Sequence, residues 1–451
     1  MQIAVAGATG FVGRALVAEL ADGGHRVVAL SRRDADVAGA EVRQVDLGDE
    51  EAVGAAIAGC DAAYYLVHSL ATGDFRARDR HLAATFGRAA ETAGVGRIIY
   101  LGGLGESPES EHLTSRQEVG GALGEAGIPV VELRAAVVLG AGGISFEMLR
   151  YLTERLPVMV CPRWVRTAIQ PIALSDTVAY LTRSMDVPPG VYEIGGSDVT
   201  TYREMIATYA RVRGLHRRRI FDVPYLTPRL SSYWVDLVTP VDHTVSHALI
   251  ESLTTEVVVR HPAETSAVFS IEPMTTRAAV AAALARQGNE LDRSLLEHDQ
   301  GLADGVYFDR VSATTDQDTA SQVDADLDRV GGSYRWYGSV WGWYARAALG
   351  RLVREQWVLR RPPRVEVGAQ VDWWRVTRRD PGTLILRALR WVPGDGWLGF
   401  GVRGSTVTVV AAFRPLGVPG FIYWKVLVPI HRRVFTGLAR HRVARTSTAP
   451  T

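Results

Sequence analysis

Short β-branched apolar runs alternate with stretches of helical periodicity over the first 200 residues of the chain. The strand-like runs are QIAVAG, HRVVALSR, EVRQVDL, DAAYYLVHS, GRIIYLGG, IPVVELRAAVVLG and VYEIGG. Between them the pattern predicts helices over residues 13–22, 49–58, 74–94 and 114–127. Strands and helices that alternate at this spacing form right-handed βαβ crossovers. The pattern therefore predicts an α/β domain over residues 1–295, built on a Rossmann-type, doubly wound parallel sheet.

The later part of this domain, about residues 140–295, contains less regular stretches that are rich in aromatic residues and proline, such as FDVPYLTPRLSSYWVDLV. In doubly wound folds such segments cover the carboxyl edge of the sheet, where ligands bind. We therefore expect the substrate side of the domain here.

The pattern changes near residues 296–303, and nine of the 11 tryptophans lie from Trp336 onward. The strand VYFDRVSAT is followed by predicted helices at residues 319–329 and 340–354. Four strands joined by tight turns come next: AQVDWWRVTRRD, GTLILRALRWV, GWLGFGVR and STVTVVAAFRP. This order predicts an antiparallel meander, closed by a last helix over residues 418–441. We expect an α+β domain over residues 304–442 whose curved sheet wraps a helix and encloses a cavity.

Aromatic residues of this second domain allow two interpretations. Trp373, Trp374, Trp391 and Trp397 either line an apolar cavity or pack as ordinary core side chains. The terminal helix FIYWKVLVPIHRRVF either closes over its own sheet, which the pattern favours, or makes a peripheral contact with a membrane surface.

Composition narrows the class of protein. A chain of 451 residues with 47% hydrophobic and 22% charged residues is typical of a soluble two-domain protein, and its net charge of +1 gives no reason to expect nucleic acid as a partner. Its two cysteines, Cys60 and Cys161, have no disulfide or metal-ligand spacing, so we expect no metal and a reducing, cytoplasmic location. The first strand begins at Gln2, and no apolar run is long enough to span a bilayer, so neither a signal peptide nor a transmembrane segment is expected.

The turn after the first strand reads GATGFVG, residues 7–13. Gly7 permits the tight turn, Gly10 lets the backbone approach a pyrophosphate, and Gly13 lets the helix pack closely on the strand. The free N–H groups at the start of the helix then face the phosphates. This motif between a strand and a helix predicts a dinucleotide site.

The tip of the second strand distinguishes the two dinucleotides. An acidic residue there binds the ribose 2′-hydroxyl of NAD, whereas this chain has Ser31, Arg32 and Arg33. Because a guanidinium pairs with a 2′-phosphate, we expect NADP(H) in preference to NAD(H). The full set of predicted cofactor-binding residues is Gly7, Thr9, Gly10, Phe11, Val12, Gly13, Ser31, Arg32, Arg33, Asp46, Leu47, Leu66, Val67 and His68.

These motifs carry a family likeness. GATGFVG, SRRD, VDL, RIIYLGG, VELRAAVVLG and QPIALSDTVAYL resemble the atypical short-chain dehydrogenase/reductases, especially the NmrA-like NAD(P)H-binding group, over about residues 1–290. The last 150 residues resemble the helix-grip fold of Bet v 1, START and polyketide-cyclase-like proteins, and VYFDR, VDWWRV and YWKVLVPIHR resemble an uncharacterised domain that is fused to such reductases in bacteria. The resemblance implies a hydrophobic-ligand domain behind a nucleotide-binding one.

The chain departs from this superfamily at the catalytic pair Tyr-x-x-x-Lys. In the helix after RIIYLGG, His112 takes the place of the tyrosine and Arg116 that of the lysine, while Gly102 and Gly103 replace the serine. Since Lys425 is the only lysine of the chain, the pair is absent from the first domain altogether. The catalytic residues are thus unknown; the candidates are His68, His112 and Arg116, because a histidine can act as a general acid near neutral pH and an arginine can hold a carbonyl or a phosphate.

Each candidate also has a structural interpretation. HLTSRQE is also typical of a helix start with Thr114 or Ser115 as N-cap, and His68 can simply line the pocket; the pattern favours these structural interpretations. Tyr65 and Tyr100 are expected to be core aromatics.

Two functions fit these features. One is an oxidoreductase that passes hydride from NADP(H) to a quinone-like or other conjugated acceptor, since a flat acceptor can take its proton from water. The other is a non-catalytic NAD(P)H-binding redox sensor or regulator with a hydrophobic-ligand domain. The expected partner is a small apolar or conjugated ligand, and the sequence leaves the oligomeric state open.

Overall fold

The computed structural model describes residues 1–68, 75–105, 111–223, 255–299, 301–303, 305–314, 317–328, 330, 364–389, 393–417 and 419–426. The chain divides into two compact units, residues 1–286 and 287–451. This division falls about ten residues before the sequence-derived boundary at residues 296–303, which stays a prediction.

The first unit contains thirteen strands among its described residues: β1 (Gln2–Ala6), β2 (Arg26–Ser31), β3 (Ala40–Gln44), β4 (Ala62–Tyr65), β5 (Ile98–Gly103), β6 (Val130–Ala135), β7 (Val138–Leu139), β8 (Val158–Pro162), β9 (Ala168–Ile169), β10 (Ile172–Ala173), β11 (Gly190–Ile194), β12 (Thr200–Thr201) and β13 (Arg219–Val223). Seven of them form one sheet in the order β3-β2-β1-β4-β5-β6-β11, and every neighbouring pair is parallel. The strand order reverses between β1 and β4, and in doubly wound sheets ligands bind at that point, outside the carboxyl ends of the strands. The predicted Rossmann-type sheet is confirmed.

The helices of the first unit are α1 (Phe11–Asp22), α2 (Glu50–Ile57), α3 (Phe75–Thr92), α4 (Glu111–Gly124), α5 (Ile144–Arg155), α6 (Leu174–Arg183), α7 (Tyr202–Val212), α8 (Pro262–Phe269) and the first part of α9 (Thr276–Ser294). Separate apolar clusters cover the two faces of the sheet. One contains Ile3, Val5 and Tyr64, and the other contains Ala4, Ala63 and Tyr65. Consecutive residues of β1 and β4 therefore point into opposite cores, which is why these strands are apolar without alternation.

The start of α4 differs from the sequence-based expectation. The helix begins at Glu111, so Thr114 and Ser115 lie inside it, and Ser115 is buried with 1% of its surface exposed. The hypothesis that one of them is the N-cap is wrong. At α7 the N-cap is Thr201, which accepts a hydrogen bond from the backbone N–H of Glu204, whose side chain in turn accepts one from the N–H of Thr201.

The substrate-side segments form small separate strand pairs rather than extending the main sheet. β7 pairs with β10 and β8 with β13, both in parallel, while β9 pairs with β12 in antiparallel orientation. Residues 224–254, which include FDVPYLTPRLSSYWVDLV from Pro224 onward, lie outside the described residues.

The second unit is built on one antiparallel sheet. Its strands are β14 (Gly301–Ala303), β15 (Val306–Thr314), β16 (Gln370–Val371), β17 (Trp374–Asp380), β18 (Thr383–Ala388), β19 (Gly394–Arg403) and β20 (Thr406–Pro415), and its described helices are the end of α9, α10 (Gln317–Leu327) and residues 419–426. The sheet order is β14-β15-β20-β19-β18-β17-β16, so the four predicted strands do form a meander. The predicted helix at residues 340–354 and most of the last helix lie outside the described residues.

Both faces of this second sheet are covered. On one face the apolar cluster includes Leu291, Leu295, Phe308, Ile385 and Trp397, and on the other it includes Leu327, Val330, Leu386, Phe413 and Trp424. Trp424 stacks on Phe413 with ring centroids 5.5 Å apart, so the described beginning of the last helix closes over its own sheet. This is the arrangement that the pattern favoured.

Across the part of the chain that the structure describes, no helix is both long and apolar enough to cross a membrane. Within the same ranges, no group of three or more His, Cys, Asp and Glu side chains is arranged to hold a metal ion. Cys60 and Cys161 are both buried, and burial raises the pKa of the Cys60 thiol.

Candidate functional site

The glycine loop packs so tightly that a side chain is excluded at Gly7 and at Gly13. Gly7 has a φ of +86°, and a Cβ on it would come within 2.7 Å of the carbonyl oxygen of Leu66. A Cβ on Gly13 would overlap the carbonyl oxygen of Gly7, which already accepts a hydrogen bond from the N–H of Gly10 at 3.0 Å. The loop after β1 therefore lies directly against the end of β4, at the point where the strand order reverses.

This loop fits the pyrophosphate of a dinucleotide. Gly10 is the N-cap of α1, Thr9 and Gly10 are exposed, and the first turn of α1 contains no acidic residue. The positive end of the helix dipole is therefore available to an anion. Arg14 donates from Nε to the carbonyl oxygen of Thr9 at 2.9 Å, which places a guanidinium beside the loop.

Phe11 and Val12, both predicted to contact the cofactor, are half-buried against the core. The ring of Phe11 lies against Gly140 and Gly143, because a Cβ on either glycine would come within 2.8 Å of it. The sequence analysis missed these two glycines, although AVVLGAGG has the form of a loop that approaches another segment closely.

The tip of β2 carries two arginines on an ordered backbone. Arg32 and Arg33 are exposed, while the backbone beneath them is held in place. The hydroxyl of Ser31 accepts a hydrogen bond from the N–H of Arg33 at 3.2 Å, and Gln44 donates from Nε2 to the carbonyl oxygen of Arg32 at 3.2 Å. Two cationic side chains thus extend from a fixed backbone into solvent.

The residues predicted to lie beside the adenine follow β3. Leu47 is buried, whereas Asp46 is exposed and accepts a hydrogen bond from the N–H of Gly48 at 3.0 Å. The carboxylate of Asp46 therefore orders the turn that leads into α2.

Leu66, Val67 and His68 follow β4 and are all half-buried. His68 lies beside the carboxylate of Asp79, with 3.0 Å between Nδ1 and Oδ2. Burial lowers the pKa of the His68 imidazole; the hydrogen bond to Asp79 acts in the opposite direction, and the positive charge of Arg116 lowers it further. Asp79 comes from the middle of a predicted polar helix, and the sequence analysis did not select it.

Arg116 lies next to this pair. Its Nη2 donates to the carbonyl oxygen of Leu101 at 2.6 Å, and its guanidinium carbon lies 5.9 Å from the ring centroid of Tyr100. Gly103 lies directly beside it, since a Cβ there would be 3.5 Å from the Arg116 side chain, an ordinary van der Waals distance. The structure therefore brings together two of the three catalytic candidates, His68 and Arg116. The third, His112, lies in the first turn of α4, and its side chain is outside the described residues.

The tyrosines nearest to this pair are weak acids, because burial raises their pKa values. Tyr65 and Tyr100 are buried, with ring centroids 6.3 Å apart. Burial raises the pKa of Tyr100 to about 12, although Arg116 acts to lower it, and burial also raises the pKa of Tyr65. Both phenols stay protonated, as expected of core aromatics.

A second buried carboxylate lies on β6. Glu132 accepts a hydrogen bond from Nε of Arg134 at 2.7 Å, and it is packed against Gly102 and Gly120. Burial raises the pKa of Glu132, while Arg134 and then Arg116 act to lower it. Arg116 therefore influences both His68 and Glu132.

The tryptophans of the second unit do not share one surface. Trp374 pairs with Ala388, and Trp397 pairs with Arg387, the preceding residue of β18. Because successive residues of a strand point to opposite faces, Trp374 and Trp397 lie on opposite sides of the sheet and cannot line one cavity together. Trp391 lies outside the described residues.

On the Trp397 side, a cleft of about 560 Å³ lies between the end of α9 and β17. Its lining is polar: Asn289, Asp292, Arg293, Thr377, Arg378 and Asp380. Arg378 donates from Nε to Oδ2 of Asp380 at 2.5 Å and from Nη1 to the carbonyl oxygen of Arg293 at 3.0 Å. The apolar-ligand site expected of this unit stays a prediction.

Sequence comparison finds two families. The profile of a family described as NAD(P)H-binding matches residues 7–133, and that of a family described as a protein of unknown function (DUF2867) matches residues 302–438. The (4-alkanoyl-5-oxo-2,5-dihydrofuran-3-yl)methyl phosphate reductase of Streptomyces griseus is 32% identical over 226 residues, which cover 47% of this chain and 74% of the reductase.

An uncharacterised protein of Mycobacterium tuberculosis is 26% identical over 220 residues, which cover 47% of this chain and 23% of that protein. The match thus spans less than a quarter of this larger relative.

Solved structures share the architecture of the first unit. The Bordetella bronchiseptica enzyme WbmG, in complex with NAD and UDP, is 17% identical with a TM-score of 0.51 and covers 64% of this chain and 95% of its own. The UDP-glucose 4-epimerase of Thermotoga maritima, with UDP-glucose, is 15% identical with a TM-score of 0.51 and covers 64% of this chain and 100% of its own. At these identities the likeness shows the fold alone.

Proposed function

Because the chain belongs to the short-chain dehydrogenase/reductase-like family of NAD(P)H-binding proteins, we propose that it is an NADP(H)-dependent reductase of conjugated acceptors. The observation that carries this proposal is the meeting of the glycine loop with the end of β4, which puts the Gly7 turn and His68 at one edge of the sheet. When bound, the dinucleotide supplies a hydride. The residues of the chain bind it, orient it and control protons beside it.

The preference for the phosphorylated dinucleotide rests on Arg32 and Arg33. Both guanidiniums are exposed at the tip of β2, and their backbone is anchored by Ser31 and Gln44. Paired charge-assisted hydrogen bonds from an arginine to a phosphate are stronger than any contact these residues offer to a 2′-hydroxyl.

The chemistry of the acceptor follows from the missing Tyr-x-x-x-Lys pair. Reduction of an isolated ketone yields an alkoxide, which needs a strong proton donor in the site. Reduction of a carbon–carbon double bond conjugated to a carbonyl yields an enolate instead, and a stabilised enolate is far less basic. The nearest phenols, Tyr65 and Tyr100, are buried with raised pKa values, so a conjugated acceptor suits this site better than a simple ketone.

The substrate named for the Streptomyces griseus relative is of this type. Its 2,5-dihydrofuran ring has a double bond conjugated both to the 5-oxo group and to the 4-alkanoyl carbonyl. An enolate formed there is shared between two carbonyl groups and accepts its proton readily. We infer that this chain acts on the same class, an alkene activated by one or two carbonyl groups, with quinones as a related class.

The test is oxidation of NADPH by the full-length protein, measured at several concentrations of each acceptor. The panel contains a quinone, an unsaturated lactone with an acyl substituent, the corresponding saturated lactone and a simple ketone. We expect turnover with the first two and none with the last two. Tight NADPH binding without oxidation by any of the four would contradict the proposal and favour a redox sensor or regulator.

A further inference from the structure

Asp79 is a buried carboxylate on an otherwise apolar stripe of α3. It lies on the stripe of α3 that faces the core, in register with Ala83, Phe86 and Ala90, and only 2% of it is exposed. Burying a carboxylate costs several kcal/mol unless it is paired. Since an alanine would pack in this stripe without that cost, the carboxylate needs a reason of its own.

One partner of this carboxylate lies on the segment after β4. Oδ2 of Asp79 is 3.0 Å from Nδ1 of His68, whose side chain is 17% exposed. A carboxylate at this distance accepts the Nδ1 hydrogen, and it thereby fixes the orientation and the tautomer of the ring. The Nε2 atom is then the nitrogen at which the imidazole gains and loses its second proton.

The surroundings of the pair act against a protonated ring, and Asp79 compensates for them. Among the described side chains, Arg116 of α4 is the cation whose field reaches His68, and the buried phenols of Tyr65 and Tyr100 face Asp79. Burial and Arg116 both disfavour the imidazolium, whereas Asp79 favours it through a hydrogen bond and its charge. Asp79 therefore keeps the protonated form of His68 accessible in a site that would otherwise suppress it.

We propose that His68 and Asp79 form the proton-delivery pair of the reduction, with His68 as the proton donor and Asp79 as its positioning residue. This inference rests on the function proposed above, in which NADPH provides two electrons and one hydrogen as hydride. Once the acceptor has become an enolate, the Nε2–H bond of the imidazolium breaks and an O–H bond forms on the enolate oxygen. Nδ1 keeps its hydrogen on Asp79 throughout, and water returns the proton to Nε2.

The first experiment needs no activity. Histidine-labelled full-length protein is titrated by NMR, with His68 assigned through the His68→Gln variant. Asp79→Asn keeps an oxygen acceptor but removes the charge, so the pKa of His68 should fall by about one unit or more. Arg116→Met removes the opposing cation, so the pKa should rise. An unchanged His68 pKa in Asp79→Asn would overturn the pairing.

The second experiment reads the pH dependence of kcat with the best conjugated acceptor. With a proton donor of given pKa, kcat falls as the pH rises above that pKa, which gives the pH profile of kcat a falling limb at high pH. Asp79→Asn should move this falling limb to lower pH by about one unit. The loss would be about tenfold at pH 7 and would largely disappear at low pH. His68→Gln should leave a slow rate without this limb, because water alone then supplies the proton.

The outcomes separate the two proposals. NADPH oxidation whose pH profile is the same in Asp79→Asn and in the unaltered protein would overturn the proton-delivery pair and leave the reductase standing. A variant that only melts earlier, with the limb unmoved, would show that Asp79 serves the fold alone. No oxidation with any acceptor would contradict the reductase itself, and the role of the pair with it.

Discussion

A carboxylate oxygen of Glu132 fills the space that a methyl group on Gly120 would occupy. A Cβ built on Gly120 would overlap Oε2 of Glu132, so α4 approaches β6 closely enough to close over a buried acidic side chain. The next residue, Gly121, faces open space, with nothing within 4 Å of its Cβ position. A side chain is therefore excluded at Gly120 but fits at Gly121, the adjacent glycine of the same helix.

Alanine substitution should reveal this difference. Gly120→Ala should destabilise the protein by about 1–3 kcal/mol, because it overpacks a buried contact. Gly121→Ala should stabilise it by about 0.5–1 kcal/mol, because an alanine loses less backbone entropy in a helix. Urea unfolding of both variants measures the change in the free energy of unfolding, which should be negative for Gly120→Ala and positive for Gly121→Ala. If Glu132→Ala fails to relieve the cost of Gly120→Ala in the double variant, the assigned contact is wrong.

Nucleotide binding should depend on the absence of a side chain at Gly13. Gly13→Ala pushes α1 away from the turn at Gly7, so NADPH affinity should fall by about tenfold or more, or about 1.4 kcal/mol. Gly54→Ala in α2 is the matched control, because its Cβ would meet nothing nearer than 4.0 Å. Titration followed by nucleotide fluorescence gives both dissociation constants. Equal affinities for the two variants would contradict the proposed binding loop.

The choice between the two dinucleotides should lie in Arg32. Arg32→Asp replaces a phosphate partner with a repelling charge, so NADPH affinity should fall by about tenfold or more while NADH affinity changes by less than about threefold. Arg217→Asp makes the same charge change at another exposed arginine and should affect neither. Calorimetric titration with both dinucleotides tests this. A similar loss for NADPH and NADH would refute the assignment of Arg32.

Acid should destabilise the fold partly through His68. Its pKa is lowered in the folded protein, so below its ordinary value of about 6.5 the unfolded chain binds a proton more readily than the folded one. The corresponding stability is present above that pH and is lost as the pH falls. The difference in unfolding free energy between pH 7.5 and pH 5 should therefore be smaller in His68→Gln than in the unaltered protein. His216→Gln, at an exposed site, should leave that difference unchanged.

The second unit should depend on Trp397. This ring is buried, with the guanidinium carbons of Arg387 and Arg414 at 5.4 and 5.5 Å from its centroid. Trp397→Ala should cost about 3–5 kcal/mol, because it opens a cavity and removes both cation–π contacts. Val367→Ala, at a side chain that is 65% exposed, should cost almost nothing. Chemical unfolding compares them, and equal midpoints would contradict this account.

The two sheets were predictable from the sequence because the hydrophobic pattern of each strand reflects which of its residues are buried. Alternation and apolar runs specified β1, β4 and the meander of β17 to β20, since those patterns reflect local geometry. The two-residue strands β9, β10 and β12 of the substrate side were missed, because runs this short have no detectable period. β14 was missed for the same reason, with only three residues, Gly301–Ala303.

The sequence indicated candidate residues only for the nucleotide half of the site. The glycine motif and the arginines are local signals, whereas Asp79 and Glu132 matter because distant segments bury them. In the sequence Asp79 is one polar residue among many in a polar helix, and only packing shows that it faces inward. A signal did exist for Glu132, since a lone acid inside the run VVELRAAVVL is unexpected for a buried strand.

Phe11 brings the start of α1 into direct contact with the segment before α5. Its ring belongs to the first turn of α1 and lies against Gly140 and Gly143, which have no side chains of their own. A displacement of the first turn of α1 would therefore press the ring against the segment that leads into α5, and Gly143, the N-cap of α5, takes part in that contact.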